Sequence, residues 1–464
     1  MKLFLFFYIC AIDYIYYLKP QEPHFKMKTK LILLAFLLPC SFLFAQNYYM
    51  SAPEGFGAAA TGGGNATPVT VTTLAELTAK LKLTTPQVIL VSGTINCTYT
   101  SLQVNDKTII GLPGARLVNL DQTAAGSGIL SLKPASNNII IRNLIFEGPG
   151  AYDVDGRDNL TSEATNLWVD HCEFQDGMDG NFDNKGAADN VTVSWCKFIY
   201  LKAPKAGGSG GADDHRFSDL VGSSKTDAPS DGHYSITFKN CYWAEGCRER
   251  MPRARNAELH ILNCYYNTSV SGSLAIGLGG GSNNTTCYVE GTDFAKIGTP
   301  FKNYVSTDGG TIGIAFSDCL NAPADSGTSV TKPSYTYSVL PIGNVAGFVS
   351  NATCGAGATL QVTAQGVVST SCNNLGLNDN VNNLELKYYP SVINRLLNID
   401  FSSSDNGLAE VDLYSSNGAK VYSHTKNIAP DEKLQLNIGN LSKGIYICKV
   451  QIENKSKTFK LVKN

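Results

Sequence analysis

Two kinds of charge gather in the middle third of the chain, and each suggests a chemistry. Seven aspartates fall between residues 153 and 183: Asp153, Asp155, Asp158, Asp170, Asp176, Asp179 and Asp183. Carboxylate oxygens delivered by neighbouring turns suit a hard cation, Ca²⁺ above all. Their spacing does not follow the twelve-residue EF-hand loop closed by Glu, and solvated turn carboxylates are the competing reading. The second cluster is Arg248-Glu-Arg250-Met-Pro-Arg253-Ala-Arg255, four arginines in eight residues. Strand alternation puts Arg253 and Arg255 on one face, where planar guanidinium forks can hold carboxylates bidentately. A third group, Asp213-Asp-His215-Arg216, sits in a long polar stretch between the other two.

What must position these clusters is a repeat. Asn143-Leu-Ile-Phe146, His171-Cys-Glu-Phe174, Trp195-Cys-Lys-Phe198, Asn240-Cys-Tyr-Trp243, Asn263-Cys-Tyr-Tyr266, Thr292-Asp-Phe294 and Asp318-Cys-Leu320 return the same short pattern. Anchored on Asn143 and then on Cys172, Cys196, Cys241, Cys264, Thr292 and Cys319, the spacings are 29, 24, 45, 23, 28 and 27 residues. Most follow an apolar or alternating run such as Leu167-Trp-Val or Leu259-His-Ile. A period in the twenties with strand patterns and no helix per unit predicts a stacked solenoid, the right-handed parallel β-helix, with coils about 4.8 Å apart. The recurring cysteines then point inward, as disulfides between rungs or as a stack of buried thiols. Thr73-Leu-Ala-Glu76 is a capping box ahead of Leu74, Leu77 and Leu81, which predicts an amphipathic helix over 73–82 covering the N-terminal end. The longest spacing holds an insertion, about Tyr200 to Gly232, and insertions on solenoids carry binding faces.

The ends of the chain differ from this middle. Met27-Lys-Thr-Lys followed by apolar Leu31 to Phe44 and then Ala45 has the layout of a secretory signal peptide. Residues 1–26 read as an upstream over-call, so 1–45 is taken as leader. Two of the 13 cysteines, Cys10 and Cys40, lie in it. Cys354 and Cys372 are a candidate local disulfide within residues 345–385, a final cap or linker rich in small residues. Residues 386–464 restart with short alternating strands and predict a small C-terminal β-sandwich. The formal net charge is −2 and charged residues make up 16% of the chain, which argues against a nucleic-acid binder. A soluble, secreted monomer is expected.

Taken together, Glu54-Gly-Phe-Gly57 with Thr61-Gly-Gly, Asn166-Leu-Trp-Val-Asp-His171, Asp179-Gly-Asn-Phe-Asp183, Val191-Thr-Val-Ser-Trp195, Leu220-Val-Gly-Ser-Ser224 and Arg250-Met-Pro-Arg-Ala-Arg255 resemble polysaccharide lyase family 1, the pectate lyases. The resemblance runs from about residue 50 to 325 and assigns the coil to residues 46–344. It implies Ca²⁺-assisted β-elimination on polygalacturonate bound in a surface groove. It implies Asp158, Asp179 and Asp183 as calcium ligands, with Asp155 an alternative to Asp158. It implies Arg250 as the catalytic base and Arg255 as a partner of the substrate carboxylate. The family's substrate-binding lysine falls on Phe217, with Arg216 beside it as a substitute charge and Arg253 as a further substrate-binding candidate. An arginine serves as base only where neighbouring positive charge disfavours its protonated form, so an alkaline optimum is expected.

In the tail, Tyr389-Pro, Leu413-Tyr-Ser-Ser-Asn-Gly418, Leu441-Ser-Lys-Gly-Ile-Tyr446 and Lys460-Leu-Val-Lys463 resemble the sorting domain of type IX secretion, which implies the secretion machinery as a partner. Three other functions compete with the pectate lyase: a pectin lyase, a polygalacturonase using Asp213 and Asp214 as paired acids, and a non-catalytic polysaccharide-binding coil.

Overall fold

The computed structural model describes residues 48–372, 384, 386–402, 405–415, 420–452 and 455–464. The expected leader over residues 1–45 lies outside them. The described residues fall into two compact units, divided after residue 374.

The first unit is a coil in which each turn of chain gives one strand to each of three sheets. An eleven-stranded sheet runs from Val69–Val71 through Thr165–Asp170, Asp189–Ser194 and Ala257–Leu262 to Ile312–Ser317, with Ser326–Gly327 at its edge. Two eight-stranded sheets complete each rung, one from Thr100–Leu102 to Thr299–Asn303 and one from Thr94–Asn96 to Asp293–Lys296. All pairing between rungs is parallel except at Ser326–Gly327. The fold is the parallel β-helix expected from the repeat.

The repeated triplet has a backbone cause. The residue that opens it is left-handed in successive rungs: Asn143 (φ 55°), His171 (47°), Trp195 (49°), Asn240 (55°), Asn263 (51°) and Asp318 (48°). Asn and Asp tolerate this region better than other side chains. Asn143 and Asn263 also donate their amides to the carbonyls of Gly111 and Gly291 at 2.9 and 3.1 Å. The turn aims the next residues into the core. Phe146, Phe174, Phe198, Trp243, Tyr266 and Phe294 form one continuous stack there, with successive centroids 5.0, 5.3, 5.5, 4.6 and 4.7 Å apart. Each buried ring contributes on the order of 2–3 kcal/mol.

The cysteines run beside that stack. Cys172, Cys196, Cys241, Cys264 and Cys319 are thiols, each donating to a carbonyl of the preceding rung at 3.4–3.7 Å. Burial pushes the Cys196 and Cys241 thiols well above their usual range, which leaves them inert. Among the described residues the disulfide is Cys354–Cys372.

At the N-terminal end the helix Leu74–Leu81 is capped as expected. Thr73 accepts from the Glu76 amide at 3.3 Å, and Glu76 accepts from the Thr73 amide at 3.2 Å. Its buried Leu77 and Leu81 close the apolar core.

The eleven-stranded sheet has an apolar outer face as well, and two segments cover it. Arg142 lies 4.5 Å over the Trp168 ring, and Tyr48 stacks on Phe348 at 4.5 Å beside Trp195. A Cβ at Gly57 would lie 2.5 Å from the Thr192 amide nitrogen, so only glycine lets this segment settle there. The helix Ile342–Val349 buries Val345, Phe348 and Val349 in the same cluster, and Leu360 and Val362 cover Val88, Leu90 and Ile110. Residues 345–372 therefore run back along the outside of the sheet, whose apolar outer residues need cover, rather than across an end.

His260 is buried under this outer cover and bonds Tyr335 Oη at 2.6 Å. Burial pulls its pKa down to about 4, with Glu290 opposing and Lys239 and Lys332 reinforcing. An unfolded histidine titrates near 6.5. Between those values the unfolded chain holds a proton that the folded chain does not. The stability is therefore complete above about pH 6.5 and is lost as pH falls toward 4, by about 3 kcal/mol. Urea titrations of the coil from pH 7 to 4 should show this slope in the wild type and a flatter one in His260→Gln. Equal slopes would assign the titration to another group.

The second unit has two sheets, Leu386–Tyr389, Leu396–Phe401 and Lys433–Asn437 in one, and Val392–Ile393, Lys455–Lys463, Gly444–Ile452, Gly407–Ser415 and Lys420–Ile428 in the other. Alternation buries Leu397, Ile399 and Leu436 from the first against Val411, Leu413, Cys448 and Val450 from the second, as in a sandwich.

Candidate active site

The clusters named from the sequence meet on the outer face of one eight-stranded sheet. Thr161 pairs with Asp183, Asn184 with Val221, and Val221 with Ala254. Asp183, Leu220 and Arg253 thus lie side by side on consecutive rungs, one residue ahead of a buried row. The long insertion closes over this face with Asp214, His215, Arg216 and Phe217.

Asp158 and Asp183 converge from two rungs. A Cβ at Gly180 would lie 2.8 Å from Asp158 Oδ1 and 3.1 Å from Asp183 Oδ1, so glycine keeps a small space open between the carboxylates. Asp158 Oδ2 accepts from Thr161 Oγ1 at 2.8 Å, whereas its Oδ1 is buried without a hydrogen-bond partner. Asp183 Oδ1 accepts from the Leu220 amide at 3.0 Å. Burial, and then the charge of Asp179, push Asp158 up to about 6, with Lys185, Thr161 and Arg250 opposing. Burial and Asp158 push Asp183 well above the usual range, against Arg250. These are groups short of positive charge. Asp179 is turned to His215, with Oδ1 2.9 Å from Nε2, and Asp153 lies 3.4 Å from the other ring nitrogen. Among the described residues no three His, Cys, Asp or Glu side chains are already gathered around one point. Asp155 is a left-handed turn residue (φ 56°) in the same stretch as Asp158.

The five arginines part ways. Arg253 pairs with Asp308 and lies 3.8 Å over the Tyr304 ring. Arg255 holds the other oxygen of Asp308 at 3.1 Å and the Gly222 carbonyl at 3.0 Å. Arg216 is bound by both oxygens of Asp214 at 2.7 and 2.6 Å, and Arg248 donates to the Asp214 carbonyl at 2.8 Å. Arg250 makes no ion pair among the described residues. Its backbone is left-handed (φ 59°) and its guanidinium lies 4.5 Å over the Phe217 ring. It borders a cleft of about 300 Å³ that Phe217, Leu220, Arg253, Leu274 and Tyr304 also line.

Sequence reasoning missed two carboxyls. Asp308, in the short helix Val305–Asp308, neutralises one of the two charges on Arg253 and Arg255. Asp219 is buried behind the site and accepts from the Trp243 indole at 2.8 Å. Burial pushes the Asp219 carboxyl well above the carboxylate range, with the Trp243 hydrogen bond opposing. The candidate acid pair Asp213 and Asp214 is not poised as one. Burial raises Asp214, but the Arg216 bonds outweigh it and hold the group low, while Asp213 is exposed and accepts from the Gly207 amide at 3.1 Å. Asp170, His171 and Ser194 also meet, but Ser194 donates to Asp170 at 2.6 Å and His171 Nε2 is taken by the Tyr48 carbonyl at 3.0 Å. That group anchors the N-terminal segment.

The family model described as pectate lyase matches residues 29–358, and that of a secretion system C-terminal sorting domain matches residues 387–464. A pectate trisaccharide-lyase of Thermotoga maritima is 34% identical over 183 residues, 37% of this chain and 43% of that protein. A probable pectate lyase B of Aspergillus flavus is 36% identical over 217 residues, 45% of this chain and 58% of that protein. A pectate trisaccharide-lyase of Bacillus licheniformis is 30% identical over 315 residues, 64% of this chain and 84% of that protein. The chain thus spans about half the length of the first two of these relatives. A solved pectate lyase from Paenibacillus sp. 0602 superposes with a TM-score of 0.50 at 18% identity over 66% of this chain and 96% of that one, a likeness of fold.

Proposed function

The chain belongs to the pectate lyase family, and from that premise we propose that it cleaves α-1,4-polygalacturonate by β-elimination to 4,5-unsaturated oligogalacturonides. Its C-terminal sorting domain makes it a secreted or cell-surface protein. One observation carries the catalytic reading. Arg250 is the arginine of its cluster without an ion pair among the described residues, and it faces the cleft beside two buried carboxylates short of positive charge.

Asp158 and Asp183, with Asp179 released from His215, would hold a calcium ion. The partnerless oxygen of Asp158 and the open space at Gly180 support that fit. When bound, calcium supplies positive charge that neutralises a uronate carboxylate and acidifies the adjacent C5 proton. Arg250, as the base, takes that proton on a guanidine nitrogen. The electron pair left on C5 closes the C4=C5 double bond as the C4–O bond to the leaving sugar breaks, and the leaving oxygen takes a proton from water. A guanidine used as base makes an alkaline optimum the expected result. Arg255 and Arg253, splayed on Asp308, are the substrate-carboxylate partners. Arg216, held by Asp214, serves at one remove. The protein is proposed to act as a monomer.

Incubation of the full chain with polygalacturonate and Ca²⁺ tests this. A lyase gives an ultraviolet-absorbing unsaturated end, a hydrolase gives reducing ends without it, and a binder gives neither. The ion-paired Asp214 disfavours the hydrolase. The C-terminal unit is proposed to engage the secretion machinery and to be dispensable for catalysis. A chain ending near residue 385 should cleave polygalacturonate at the full-length rate, and a folded but inactive product would move the domain boundary.

A further inference from the structure

An unbroken line of side-chain contacts runs from Asp179 to Arg250. Asp179 Oδ1 lies 2.9 Å from His215 Nε2. The His215 ring is buried, and its other nitrogen faces Asp153 at 3.4 Å. Asp153 is itself held, its Oδ2 accepting from the Ala212 amide at 2.7 Å. The same ring packs on Phe217 with centroids 4.1 Å apart, and the Phe217 amide donates to the His215 carbonyl at 2.8 Å. Phe217 is bridged to the backbone of Glu249, next to Arg250, whose guanidinium lies 4.5 Å over the Phe217 ring. Arg250 makes no ion pair among the described residues, so this ring is what its guanidinium rests on. Asp179 cannot serve two partners with one oxygen. To join Asp158 and Asp183 around a cation it must turn off His215, so that bond competes with the ion. The edge of the His215 ring thus engages a metal carboxylate, while its body supports the platform under the base.

We propose that His215 is a positioning residue with two tasks: its Nε2 withholds Asp179 until calcium displaces it, and its ring props Phe217 and, through it, the Arg250 guanidinium. The proposal rests on the lyase reading and the calcium assignment above. Loss of the side chain then moves calcium affinity and turnover in opposite directions. The ion gains a ligand that is no longer engaged elsewhere, and the base loses the support that fixes where its nitrogens point. A residue that only maintained the fold would weaken both.

The test pairs calorimetric titration of the full chain with Ca²⁺ alone and kcat on polygalacturonate at saturating Ca²⁺, read by the unsaturated product. His215→Ala should bind calcium at least about threefold more tightly, the scale of one competing hydrogen bond removed. Its kcat should fall at least about tenfold, as for a displaced catalytic group. Two further variants separate the tasks. His215→Phe keeps a ring and loses the nitrogen, so calcium should tighten as in the Ala variant while kcat falls less. His215→Asn keeps an N–H for Asp179 and loses the ring, so calcium affinity should stay near that of the wild type while kcat falls as far as in the Ala variant. A folded His215→Ala that binds calcium more weakly, or that turns over at the wild-type rate, overturns the proposal. If that variant does not fold, the contrast between Phe and Asn decides, and identical behaviour of those two overturns the proposal as well. A wild type that takes up no calcium removes the metal assignment, and one that yields no unsaturated product removes the lyase reading. Either result also ends the proposal, and both are read on the wild type before any variant is made.

Discussion

Arg250→Lys should lower kcat by at least about a hundredfold, the low end for a lost acid–base group, with little change in calcium affinity or in binding of oligogalacturonate. Lysine keeps the charge and loses the planar fork and its reach. In this site it also loses the face that lies over Phe217, which together with the left-handed backbone at Arg250 fixes where the guanidine nitrogens point. Arg255→Lys should differ, weakening substrate binding as well as turnover, because Arg255 is held by Asp308 and the Gly222 carbonyl in a carboxylate-binding posture. Steady-state kinetics with a calorimetric titration of calcium separate the two. A folded Arg250→Lys that turns over at the wild-type rate would remove Arg250 as the base. Arg253 and Arg255 lend Arg250 a weaker positive field than their number implies, since Asp308 cancels one of their two charges.

Chelation should abolish lyase activity, and added Ca²⁺ should restore it. Asp183→Asn and Asp158→Asn should each weaken calcium binding by at least about tenfold, measured by calorimetry on the resting protein so that binding is read apart from turnover. The melting temperature should change far less, because the aromatic and thiol stacks hold the rungs and both aspartates lie on the outer face. Full activity in chelator, or unaltered calcium affinity in Asp183→Asn, would remove the metal assignment.

Much of this was legible in the sequence, for reasons that differ by element. The coil was readable because each rung must make the same left-handed turn and then point a ring inward, so Asn263-Cys-Tyr-Tyr266 has to resemble Asn240-Cys-Tyr-Trp243. The capping helix was readable because Thr73 and Glu76 bond locally. Asp158, Asp179 and Asp183 stood out because carboxylates are dense on two adjacent turns. Asp308 did not, since it is a single acid between Ser306-Thr307 and Gly309-Gly310 that meets Arg253 and Arg255 only because the next rungs stack beside them. Asp219 was hidden likewise, its partner Trp243 lying a rung away. Two motifs with strong sequence signals, Asn166-Leu-Trp-Val-Asp-His171 and Val191-Thr-Val-Ser-Trp195, turned out to anchor the outer cover and to take no part in the site. The path of residues 345–372 could not be read, because apolar positions on both faces of the eleven-stranded sheet look the same in sequence as a strand buried once.

The positions of the tryptophans have an optical consequence. The chain has three, Trp168, Trp195 and Trp243, and all lie in the coil, two under the outer cover and one inside the aromatic stack. The C-terminal unit has none and carries only tyrosines such as Tyr388, Tyr414 and Tyr446 as intrinsic emitters. Excitation at the red edge of protein absorbance therefore sees one unit and is blind to the other. The intact protein carries a built-in reporter of coil integrity, and the melting of its two halves can be told apart without a label.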